Sequence, residues 1–464
     1  MGWKTITKSF KSRDMQKRML IVVLLIVVYR LLSHIPVPLA EPTQLKQLLN
    51  NLFSSQQLLG FFDLLSGGAL SSLSIMLMGL GPYINASIIM QLLTKAFPKL
   101  EEMQQDGEVG RRKINQWTRV IALPLALIQS VGLILLIRQS ASSQLGIDIT
   151  ANTTPFQWVL MIGALTGGSM LLMWLGELIT EQGIGNGISL LIFAGIVSRL
   201  PSSATTLINT VTGQKAHWNV FNWFTLPFSA KGFGITSAII LATIIVTFLV
   251  VKLNEAQRVI KVSYAKRVQG NRAYGGVGTI LPVKLITAGV IPIIFAVAFL
   301  SVPQFVGQII KNNHNPTIAH LGTNLTQWFA QPNQQAVSSN PVNVYVYPAV
   351  YFILIVAFTY FYTSVVFNAK EIAENLQKQG GFIEKIRPGP QTEAYLKKIV
   401  NRLNLFGAFS LGLLALLPLF VERILGTTSL TIGGTGLLIV VSVALETLRQ
   451  LESRALMVTY DQDY

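Results

Sequence analysis

The chain has 464 residues with 36 Lys+Arg against 20 Asp+Glu, a net charge of +16, and it is 51% hydrophobic. Only 12% of residues are charged, where a soluble domain carries about a quarter, so a soluble nucleic-acid binder and a disordered chain are both excluded. The absence of cysteine excludes disulfide scaffolds, thiolate metal sites and cysteine nucleophiles.

In chain order, a basic segment (1–18) precedes an apolar run. Ile35-Pro36-Val37-Pro38 follows that run instead of a small-residue cleavage site, so the run is expected to stay as a first helix and not leave as a signal peptide. Long charge-free stretches then recur at the length needed to cross a hydrocarbon core, about 20 residues. The pattern predicts ten spanning helices: 19–35, 75–95, 117–137, 156–177, 184–200, 235–253, 281–303, 347–367, 402–420 and 432–448. Runs such as Leu20 to Val28 do not alternate, which speaks against a β-barrel. Segment 61–74 is apolar but too short to cross, and reads as a short re-entrant helix or a helix lying at the interface. Gly79-Leu80-Gly81-Pro82 interrupts the second span, and Gly289-Val290-Ile291-Pro292 interrupts the seventh. If the chain divides as five spans plus five, these are equivalent places, as in an inverted repeat with a site at its interface. Gly and Pro also occur in spanning helices simply to permit close packing.

Orientation follows from Lys and Arg. With the N-terminus cytoplasmic, 28 of the 36 basic residues fall inside: 6 in the N-terminal segment, 6 in 95–119, 7 in 252–284, 7 in 370–402, and Arg449 and Arg454 in the tail 449–464. Seven fall outside, and Arg30 lies within the first span. The expected organisation is a first half over 19–200, an external loop 201–234, and a second half over 235–448. The second half carries two long basic loops, 254–280 and 368–400. Such loops either enforce topology and bind anionic lipid, or together form one docking surface for an acidic partner or for RNA phosphates.

The interior is poor in chemistry. Glu177, Lys284 and Glu446 sit near span ends, and the four His lie at or outside the external boundary. No chain of titratable groups crosses the bilayer, which speaks against an ion-coupled pump. No phosphate loop, HExxH or catalytic triad is present either, so an intramembrane enzyme lacks its machinery. A small-solute secondary transporter built as an inverted repeat is the alternative from another class. It calls for a polar midplane site where this chain has Leu80, Ile84, Ile291 and Ile294.

Several stretches then identify a family. They are Ser66-Gly-Gly-Ala-Leu-Ser71, Gly81-Pro-Tyr-Ile-Asn-Ala-Ser-Ile-Ile89, Gly107-Glu-Val-Gly-Arg-Arg-Lys113 and Trp174-Leu-Gly-Glu-Leu-Ile-Thr-Glu-Gln-Gly-Ile-Gly-Asn-Gly-Ile-Ser189. Tyr264-Ala-Lys-Arg267, Ala288-Gly-Val-Ile-Pro292, Ile386-Arg-Pro-Gly389 and Gly433-Gly-Thr435 complete the set. In this order, and at the edges of spans, they resemble the SecY/Sec61-alpha family of protein-conducting channels.

The resemblance implies an all-α membrane protein of ten helices, in two pseudo-symmetric five-helix halves around an hourglass pore. It implies no enzyme activity and no cofactor. Its pore ring would be Leu80, Ile84, Ile188, Ile192, Ile294 and Ile439. A narrow apolar collar dewets, leaks ions poorly and grips no particular sequence. The plug would be 61–74, with Phe61, Phe62, Leu64, Leu65, Gly67, Gly68, Leu70 and Leu73. The lateral gate would use Ser87, Gln129 and Ile286, the last standing where the family often has Asn. Lys266, Arg267, Arg272 and Arg387 would dock a motor or a ribosome, with Asn271 standing where a second Arg is frequent. Implied partners are SecE- and SecG-like small subunits, a SecA-like ATPase, the translating ribosome, signal peptides and nascent chains, and lipid. The implied location is the bacterial plasma membrane, with both termini cytoplasmic.

Overall fold

The computed structural model describes residues 13–37, 74–145, 154–202, 204–205, 208, 218–220, 224–226, 230–264, 267–269, 272–274, 278–311, 315–329, 343–425 and 434–462. The first half runs α1 (Arg13–Leu32), α2 (Gly81–Ala96), α3 (Pro98–Gln105), α4 (Gly107–Leu145), α5 (Pro155–Glu181) and α6 (Gly187–Val197). A hairpin follows, β1 (Trp218–Val220) and β2 (Phe224–Leu226), in the expected external loop. The second half begins with α7 (Ala230–Glu255), β3 (Gln257–Tyr264), β4 (Arg267–Gln269), β5 (Arg272–Tyr274) and β6 (Gly278–Lys284). It continues with α8 (Ile291–Ile310), α9 (Pro316–Trp328), α10 (Asn343–Val366), α11 (Ala369–Lys378), β7 (Gly381–Ile383), α12 (Pro390–Leu425) and α13 (Gly434–Gln462).

Helices α1, α2, α4, α5, α6, α7, α8, α10, α12 and α13 fall on the ten expected spans. Among the described residues, six of these helices (α4, α5, α7, α8, α10 and α12) contain stretches long and apolar enough to cross a membrane. Local signals set the starts. Thr154 and Gln157 form a reciprocal capping box before Pro155, satisfying two backbone donors that a helix start leaves unpaired. Asn186 Oδ1 accepts from the Ile188 and Ser189 amides to start α6.

Two expected spans begin late. The second is a run of turns over 75–80 and is helical only from Gly81, while the seventh is helical only from Ile291. Pro82 and Pro292 explain both, since each sits in the first helical turn, where a missing N–H costs nothing. The two breaks share one geometry. Gly79 and Gly289 have φ of 56° and 61°, and the next residues, Leu80 and Val290, cap their helices at φ/ψ of −86/0° and −94/−6°. The Ile84 amide then donates to the Leu80 carbonyl at 2.9 Å, and the Ile294 amide to that of Val290 at 3.3 Å. The same backbone device at the start of the second span of each half is the inverted repeat written in dihedral angles.

Residues 281–284, expected at the start of the seventh span, instead belong to strand β6. β6, β3 and β7 make an antiparallel sheet in that order, with Ile260 opposite Leu281 and Val262 opposite Ile383. Its inner face (Ile260, Val262, Val283, Ile383) packs on Leu396, Ile399 and Val400 of α12. The two basic loops are therefore one body, joined by main-chain hydrogen bonds.

Candidate functional site

Leu80 and Ile84 come from the start of α2, Ile188 and Ile192 from α6, Ile294 from α8 and Ile439 from α13. The structure brings all six into one apolar cluster. Five are buried and Ile188 is half-buried against them. The i,i+4 spacing of Leu80/Ile84 and Ile188/Ile192 puts each pair on one helix face. Helix α2 packs on α8, and α6 packs on α13, so both halves supply walls of the same cluster. No Asp, Glu, Lys, Arg or His is buried among the described residues. Glu177, near a span end, is held by a two-pronged ion pair from Arg119, with Nε–Oε1 at 2.7 Å and Nη2–Oε2 at 2.6 Å.

The named plug residues, 61 to 73, lie outside the described residues. The point where that segment ends is described. The Ser74 hydroxyl donates to the Leu32 carbonyl at 3.0 Å, the Ile75 amide donates to the Ile35 carbonyl at 3.0 Å, and the Met76 amide donates to Ser74 Oγ at 3.1 Å. Gly168 of α5 lies so near the Ile75 carbonyl that any side chain there would strike backbone.

Of the expected gate residues, Ser87 is on α2, Gln129 on α4, and Ile286 precedes α8. Helices α2 and α4 of the first half both pack on α8 of the second. Ser87 accepts a 3.2 Å bond from Gln91 Nε2, one turn along α2. Gln129 of α4 holds a buried Oε1 with no hydrogen-bond partner, as does Gln91. Ile286 is buried in the central cluster. Sequence reading missed the contact that closes this seam. Phe305 of α8 packs into a first-half cluster formed by Leu77, Met78, Leu133 and Ile134, and its ring occupies the space above Gly132 of α4. It also missed a polar chain from Thr287 through Thr363 to Asn404, at 3.4 and 2.9 Å. No local signal reveals that chain, because its members are far apart in sequence.

At the basic end, the Arg18 and Arg454 guanidiniums both donate to the Gln182 carbonyl, at 3.3 and 3.0 Å. Arg449 donates to the Asn254 carbonyl at 3.0 Å. These bonds bring the start of α1, the ends of α5 and α7, and the tail of α13 to one end, as the alternating topology requires. Of the expected docking residues, Arg387 is exposed and its carbonyl accepts from Thr392 Oγ1 at 2.9 Å. Arg267 begins β4 and Arg272 begins β5 of one antiparallel hairpin, in which Gln269 is opposite Arg272. Lys266 lies outside the described residues.

A family model described as SecY matches residues 74–448 of the chain. The chain belongs to the SecY family. The SecY translocase subunit of Streptomyces galbus is 37% identical over 458 residues, which is 98% of each chain. Two solved structures share the fold of this SecY-family chain. One, of a protein conducting channel, covers 93% of this chain and 90% of that one, with a TM-score of 0.63 at 21% identity. The other, Sec61 in the canine ribosome-channel complex, covers the same shares with a TM-score of 0.58 at 20% identity. The ten helices in two related halves are the fold of that family.

Proposed function

We propose that this chain is the channel through which unfolded polypeptide crosses a membrane. The chain passes between the two halves, through the collar of Leu80, Ile84, Ile188, Ile192, Ile294 and Ile439. The observation that carries this reading is their convergence from four helices and both halves into one uncharged cluster. Such a collar resists ions while it is closed and dewetted, and it widens around a passing chain without specific bonds. Apolar segments leave sideways between α2/α4 and α8, where Ser87, Gln129 and Ile286 lie. Segment 61–74 plugs the external funnel, anchored at Ser74.

The channel does no chemistry of its own. Energy comes from a SecA-like ATPase or a translating ribosome, docked on the joined basic loops through Lys266, Arg267, Arg272 and Arg387. SecE- and SecG-like subunits complete the complex in the bacterial plasma membrane, with both termini in the cytoplasm. A small-solute transporter would need polar groups at the collar, and the six residues there are all apolar.

Photo-crosslinkers at positions 84, 192 and 439, tested with a stalled secretory chain, examine the pore directly. Crosslinks from all three are expected. Crosslinks only from lipid-facing control positions would remove the assignment.

A further inference from the structure

The turn between β7 and α12 holds Lys385 at a φ of 67°, the one positive value at a non-glycine position among the described residues. In that region Cβ crowds the following carbonyl, so glycine is its ordinary occupant. Gly380 and Gly389, at 71° and 96°, occupy it on either side. The turn is fixed by its own hydrogen bond and by the core beneath it. The Ile386 amide donates to the Ile383 carbonyl at 3.0 Å, and both isoleucines belong to the apolar core between the sheet and α12. The Lys385 side chain contributes nothing to that core: it is exposed and forms no ion pair among the described residues. A long cation kept at a position whose backbone favours glycine points to a use for the cation.

The surroundings indicate what it meets. Segment 252–284 carries 7 basic residues and one acidic residue, Glu255. Segment 370–402 carries 7 basic residues interleaved with Glu371, Glu374, Glu384 and Glu393. A uniformly positive strip suits phosphates. Mixed signs suit a protein surface, where opposite charges set the register and like charges exclude wrong partners. Phe382, exposed beside the turn, adds an apolar contact.

We propose that Lys385, held out by this turn next to Arg387, docks an acidic side chain of a cytoplasmic protein partner. This rests on the reading of the basic loops as a docking surface.

The test uses the full channel complex in nanodiscs, with the purified motor ATPase of the same organism as probe. Lys385→Gly is expected to raise the thermal midpoint by a few degrees, because strain is relieved. The same variant should weaken motor binding about tenfold. Lys385→Glu should weaken it further, and Lys385→Arg should keep it. Opposite movement of stability and binding is a signature that a merely structural role would not give. Wild-type motor binding by Lys385→Gly overturns the proposal, as does a loss confined to ribosomes. Arg387→Glu separates the two levels. If it binds the motor normally, the docking reading itself fails. If it loses binding while Lys385→Gly does not, only the role of Lys385 falls.

Discussion

The two helix breaks share one backbone and sit in opposite surroundings. In the first half, the turn run 75–80 is fastened to the end of α1 by Ser74 and Ile75, and Gly168 of α5 closes on the Ile75 carbonyl. In the second half, a side chain built on Gly289 would meet nothing within 4 Å. The first break is tied to its neighbours by these bonds, whereas the second is free on the one side that a Gly289 Cβ would face, with Ala288 and Val290 beside it buried. Pseudo-symmetry in the backbone therefore does not imply symmetry in the packing.

Three substitutions test that contrast. The largest effect is expected from Gly168→Ala. Its Cβ meets backbone that cannot turn aside, so overpacking should cost about 3 kcal/mol, read as a fall in the thermal midpoint of the purified complex. Next comes Gly132→Val, at the seam between the halves. The obstacle there is the far end of a side chain, so the Phe305 ring swings away at a cost of about 1–2 kcal/mol. Loosening the seam should raise export of precursors with defective signal sequences, and Phe305→Ala should do the same. Unchanged export in both variants would detach this contact from gating. The smallest is Gly289→Ala, where strain at positive φ alone should cost about 1 kcal/mol. If Gly168→Ala and Gly289→Ala shift the midpoint equally, the contrast between a crowded and an uncrowded glycine is wrong.

Much of the architecture was legible in the chain because a membrane permits few solutions. Backbone polar groups must be satisfied within a helix, so charge-free runs of the right length become spans. Charge placement gave their alternation, which the bonds of Arg18, Arg449 and Arg454 at one end agree with. The Gly-Pro breaks were readable because proline acts locally. Strand β6 was not. Residues 281–284 are apolar enough to resemble the start of a span, and only pairing with β3 makes them part of a strand. The resemblance nominated Ile84 and Ile192, and the i,i+4 spacing agreed with it for Leu80/Ile84 and Ile188/Ile192, but their meeting with Ile439 is a long-range fact.

By itself, then, the sequence determined the ten spans, the two breaks and the apolar character of what meets at the centre. These follow from period, length and charge, which act over a turn or two of helix. Tertiary structure alone decided that the two basic loops share one sheet, that Phe305 sits on Gly132 and that Gly168 closes on the first break while no atom crowds Gly289 at the second. Each of these depends on surfaces hundreds or dozens of residues apart fitting together, and no local pattern encodes that fit.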